Sequence, residues 1–117
     1  MTKRRSFGKK VREQVFARTH GHCAYCGCEL TLDKMQVDHI YPFEKGGSNE
    51  LDNLFPACWL CNYRKKAFTV DEFREMLADI PRCLFKAYTT YDLAVKYGLI
   101  VLKEEPVEFY FERMCKE

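Results

Sequence analysis

Apolar positions along the chain change period three times, and each change marks an element. Val11, Val15 and Phe16 share one face of a predicted helix from Lys9 to His20, with Ser6 as its N-cap and Gly21 as its stop. Residues 22–33 read as a turn. Two short apolar runs, Met35 to Ile40 and Leu54 to Ala57, read as strands joined by a loop over 41–52 that holds Pro42, Gly46 and Gly47. A helix follows from near Cys58 to about Lys66. Thr69-x-x-Glu72 matches a capping box, and Val70, Phe73, Met76, Leu77 and Ile80 keep helical spacing up to Pro81. Leu84, Tyr88, Tyr91 and Val95 allow a further helix ending at Gly98, against the weak helix formers Thr89 and Thr90. Leu99 to Lys103 and Val107 to Glu112 read as strands of a C-terminal β-hairpin, because Val107, Phe109 and Phe111 alternate with polar or tyrosine positions.

The pattern predicts an α+β class within a single domain over 1–117. It comprises a basic arm and helix (1–21), a core (22–68) and a helical and hairpin part (69–117). With 117 residues, 47% of them hydrophobic, the chain is long enough for one packed core, and its composition excludes a disordered protein. No apolar run is long enough for a secretory signal or a membrane span. Seven cysteines, an odd number, then favour reduced thiols and a cytoplasmic location over disulfides. The net charge of +2 conceals an asymmetry. Residues 1–20 carry seven Lys/Arg against one Glu, residues 21–70 a net −1 and residues 71–117 a net −3. A basic arm on a mildly acidic body points to a polyanionic partner.

Four of the cysteines fall in two Cys-x-x-Cys pairs, Cys23 with Cys26 and Cys58 with Cys61. Each such turn delivers two thiolates from one tight knuckle, and two knuckles complete a tetrahedral structural zinc site. Cys28 competes with Cys26 for the second position, while Cys83 and Cys115 have no paired spacing and read as small hydrophobes. His20 and His22 flank the first knuckle as surface residues.

Between the knuckles lie Asp38, His39, Asn53 and, just past Cys61, Asn62. Together Cys23-x-x-Cys26, Val37-Asp38-His39-Ile40-x-Pro42, Gly46-Gly47, Leu51-x-Asn53-Leu54, Cys58-x-x-Cys61-Asn62 and Lys65 resemble the HNH endonucleases, the ββα-metal or His-Me finger nucleases, in their zinc-stapled, four-cysteine branch. The resemblance covers about residues 10 to 68. It implies a ββα-metal finger stapled by a four-cysteine zinc site, with flanking helices, that hydrolyses DNA, most readily double-stranded. It further implies His39 as general base, Asp38 and Asn62 as ligands of a catalytic divalent cation, and Asn53 as the residue fixing the loop and the His39 ring. Asn62 stands where the family often has histidine, and its amide oxygen shifts the expected cation toward Mg²⁺ or Mn²⁺.

The residues support that chemistry independently. An imidazole titrates near neutral pH and can accept a proton from water, and a carboxylate offers a hard oxygen to Mg²⁺. Arg4, Arg5, Lys9, Lys10, Arg12, Lys65 and Lys66 are the expected contacts to nucleic-acid phosphates. Two competing readings remain. One is a zinc-stabilised nucleic-acid-binding module without catalysis. The other is a partner-binding protein whose aromatic C-terminal hairpin mediates dimerisation.

Overall fold

The computed structural model describes residues 7–116, so Arg4, Arg5 and the Ser6 cap lie outside the described residues. The chain forms two compact units: residues up to Val70 together with those from Glu108 onward, and residues 71–107.

The first unit is built around a ββα finger. Helix α1 (Lys9–Arg18) starts after Gly8 and buries Val15. Val15 joins Met35 and Leu54 in a core lined by Phe7, Val11, Phe16, Leu30, Leu32 and Val37. Strand β1 (Gln36–His39) pairs antiparallel with β2 (Leu54–Ala57), placing Asp38 opposite Phe55 and His39 opposite Leu54. All four residues of β2 are buried, which explains its continuous apolar run. Helix α2 (Trp59–Lys65) follows, with Cys58 at its N-cap.

Two arginines of α1 brace this finger rather than face solvent freely. Arg12 donates to the carbonyls of Leu32 (2.6 Å) and Met35 (2.9 Å). Arg18 donates to those of Leu51 and Leu54 and lies over the Phe55 ring. Arg12 therefore ties α1 to the chain entering β1. Lys9 and Lys10 are exposed.

The C-terminal segment departs from the predicted hairpin. Leu99 to Lys103 forms no strand, and Tyr110–Met114 is a short helix. The reason lies in Glu112, whose side chain accepts from the Phe109 backbone N–H at 2.9 Å and caps the first turn. The alternating aromatics are then consumed within the chain. Phe109 packs edge-on against Tyr25, and Phe111 meets both Tyr25 and Phe55. Backbone bonds from Tyr110 to Tyr25 and from Phe111 to Ala24 fasten the segment to the first knuckle. Those aromatic faces are accordingly not available for the dimerisation expected of them.

The second unit holds most of α3 (Val70–Ala87) and all of α4 (Thr89–Lys96). Helix α3 starts where the capping box places it but runs through Pro81 instead of stopping there. Proline removes one backbone donor, yet Phe73, Leu77, Ile80 and Leu84 carry the apolar stripe across it. Phe85 meets Tyr91 edge-on, and Gly98, in the left-handed region, ends the second helix. No helix among the described residues is long and apolar enough to cross a membrane.

Candidate functional site

The four paired cysteines converge. The sulfurs of Cys23, Cys26, Cys58 and Cys61 all lie within 4.8 Å of one another, and Cys26 Sγ is 3.9 Å from Cys58 Sγ. Zinc–sulfur bonds of about 2.3 Å set tetrahedral sulfur–sulfur edges near roughly 3.8 Å, so this donor set fits one zinc ion. Cys26, not Cys28, is the second thiol of the first pair. Cys58 Sγ also accepts from the Cys61 N–H, so the second knuckle doubles as the cap of α2. Hydrogen bonding with Cys61 holds the Cys23 thiol down to about 4 and pushes Cys61 up, so the cluster favours a thiolate.

Asp38 and His39 close β1 and are each only 2% exposed. Adjacent strand residues face opposite ways, and their partners differ accordingly. Asp38 Oδ2 accepts from the Tyr25 hydroxyl at 2.5 Å and lies 3.1 Å from Lys65 Nζ. Burial, reinforced by the Asp38 charge, raises the Tyr25 pKa well above its ordinary value and keeps the phenol a donor. Lys65 is 0% exposed and also donates to the carbonyls of His39 (2.9 Å) and Ile40 (3.3 Å). It latches α2 to the end of β1. That corrects its expected role as a phosphate contact, since no phosphate reaches a fully buried ammonium. Lys66 is exposed.

His39 Nε2 is 2.8 Å from Asn49 Oδ1, with the rings of Phe7 and Phe43 beside it. With Oδ1 accepting, Nε2 carries the proton, and the basic lone pair of the neutral ring falls on Nδ1. The Asn53 side chain bonds the backbone of the loop rather than the His39 ring. Its Oδ1 accepts from the Tyr41 N–H, and its Nδ2 donates to the carbonyls of Tyr41 and Ser48. Asn53 therefore clamps both ends of the loop, and Asn49, next to Ser48, holds the imidazole. The loop closes tightly at Gly47, where an added Cβ would lie 1.9 Å from the Tyr41 carbonyl oxygen. Asn62 sits on α2 three residues before Lys65, half-buried, one turn from the latch.

Sequence reasoning missed Tyr25 and Asn49. Tyr25 lies inside the first knuckle, and its buried contact to Asp38 joins the metal cluster to the strand end. Asn49 carried a weaker signal, as the polar residue that follows Gly46-Gly47-Ser48 in a loop otherwise set by turn chemistry.

Lys65→Met is expected to leave Asp38 as an uncompensated buried charge and to cost about 3–5 kcal/mol. Adding Asp38→Asn should recover much of that loss, because the pair is then removed together. Urea midpoints of zinc-loaded protein check this. Equal stability of wild type and Lys65→Met would show that the latch contributes nothing.

Two antiparallel strands and a helix, with an Asp-His pair at the strand end and a thiol cluster beside the helix, define a ββα finger with a metal-ligating cysteine set. Residues 23–68 match the HNH endonuclease family. The chain is 38% identical over 55 residues to the CRISPR-associated endonuclease Cas9 of Corynebacterium diphtheriae, an alignment covering 46% of this chain and 5% of that protein. It is also similar to the crystal structure of the Type II-C Cas9 enzyme from Actinomyces naeslundii, with a TM-score of 0.52 and 26% identity over 64% of this chain and 9% of the other. The chain thus spans a small fraction of either relative's length.

Proposed function

We propose that this chain is a metal-dependent endonuclease that hydrolyses DNA phosphodiester bonds. The observation that carries the reading is the Lys65 latch. By joining Asp38 Oδ2 and the His39 carbonyl, it sets the turn of α2 that bears Asn62 against the Asp-His end of β1. His39 takes a proton from the attacking water, with Asn49 fixing its tautomer. Asp38 and Asn62 would hold Mg²⁺ or Mn²⁺, and that ion would supply positive charge against the phosphate and leaving oxygen. Lys9, Lys10 and Lys66, with Arg4 and Arg5 on the arm, would contact the phosphates. The four-cysteine cluster would hold zinc in a purely structural role. Similarity to two Cas9 enzymes supports a nuclease of this kind.

One observation favours a second reading, a nucleic-acid-binding module without catalysis. His39 is only 2% exposed, with the rings of Phe7 and Phe43 beside it, so little of the imidazole faces a phosphate in this conformation. Metal dependence separates the readings. Supercoiled plasmid incubated with Mg²⁺, Mn²⁺ or neither should be cut only with an ion present. Asn62→Ala should cut slowly and recover part of its rate as the ion concentration rises. A wild-type protein that binds plasmid but never cuts it would establish the binding module instead.

A further inference from the structure

On the outer side of α2 two large aromatic rings stand in solvent. Trp59 is 63% exposed and Tyr63 54% exposed. They stack on each other with centroids 5.1 Å apart and planes 9° from parallel. Such rings usually seek burial, and this pair is already ordered into a flat platform. Its neighbours indicate what it takes. Residues four apart share a helix face, so Trp59 and Tyr63 form one line, and the exposed Lys66 follows at the C-cap of the same helix. Exposed Arg64 lies on the adjoining face. Asn62, the candidate cation ligand, borders the same line as the i+3 neighbour of Trp59, four residues before Lys66.

We infer that Trp59 and Tyr63 form a stacking platform for an unpaired nucleobase of the substrate, with Lys66 and Arg64 on its flanking phosphates. An aromatic surface flanked by cations, beside a site for phosphodiesters, matches the π-face and the charge of single-stranded nucleic acid. A paired base keeps both faces in its own duplex stack, so the platform favours single-stranded or locally opened DNA over intact duplex. The nucleic-acid ligand rests on the nuclease reading, while the stack itself is tested without cleavage.

Trp59 is the chain's only tryptophan, so its emission reports on its own face. The 117-residue chain without added Mg²⁺ or Mn²⁺ is titrated with an oligothymidylate and with a duplex of equal phosphate number. The oligothymidylate should quench the indole saturably and bind more tightly than the duplex. Tyr63→Leu should weaken single-strand binding, and Trp59→Ala should do so by roughly 5- to 150-fold, the range of a lost base stack. Duplex affinity and zinc content should stay unchanged in both variants. Absence of quenching, or equal losses on both DNA forms, would overturn the platform. Self-association of the wild type relieved by Trp59→Ala would also overturn it, and would mark a protein-docking face. Plasmid cleavage without single-strand quenching leaves the nuclease standing and the platform refuted. Single-strand quenching by a protein that never cuts does the reverse.

Discussion

Cys61→Ser is expected to release the zinc ion and to abolish cooperative folding of the finger. The Cys58–Cys61 knuckle does three things at once: it supplies two thiols, caps α2, and through α2 presents Asn62 and Lys65 to β1. Structural zinc contributes about 10–16 kcal/mol of apparent binding free energy in small fingers, whereas whole domains are stable by only about 5–15 kcal/mol. Loss of one ligand therefore removes a term comparable to the entire stability. The same loss follows for Cys23, Cys26 and Cys58, whereas Cys28→Ser, Cys83→Ser and Cys115→Ser should retain zinc. Zinc per chain and near-ultraviolet circular dichroism check this, and a zinc-free wild type that stays cooperatively folded would contradict it.

Removing the His39 imidazole is expected to lower the cleavage rate by about 10²–10⁴, the usual worth of one general base. The ring also packs between Phe7 and Phe43, so alanine leaves a void as well as no base. His39→Gln separates the two effects, because it retains much of the volume and a polar group toward Asn49 but cannot accept the proton in the same way. Both variants should be equally slow, with DNA affinity and zinc content near wild type. Asn49→Ala should reduce the rate less, since the imidazole remains while its tautomer and orientation are released.

What the sequence shows well here is local. The knuckles, the two strands and the start of α3 each follow from a few consecutive residues, and the structure has them where the pattern puts them. Contacts across the chain were harder to read. Nothing in the spacing of Tyr25 and Asp38 announces that a knuckle phenol bonds the strand carboxylate. The alternation at Val107, Phe109 and Phe111 imitates a strand, because the capping contact from Glu112 and the packing on Tyr25 decide the outcome. Lys65 was legible in principle. It stands four residues after Cys61 and seven after Cys58, on the thiol-bearing inner face of the helix, so a correct helical phase places it inside. The platform of Trp59 and Tyr63 falls on the opposite side by the same phase.

The most direct test of the nuclease reading is cleavage of supercoiled plasmid by zinc-loaded protein with Mg²⁺ or Mn²⁺, compared with His39→Gln at equal DNA occupancy. The expected result is ion-dependent nicked or linear product from the wild type, and at least about a hundredfold slower conversion by the variant. Equal rates for the two proteins would contradict it.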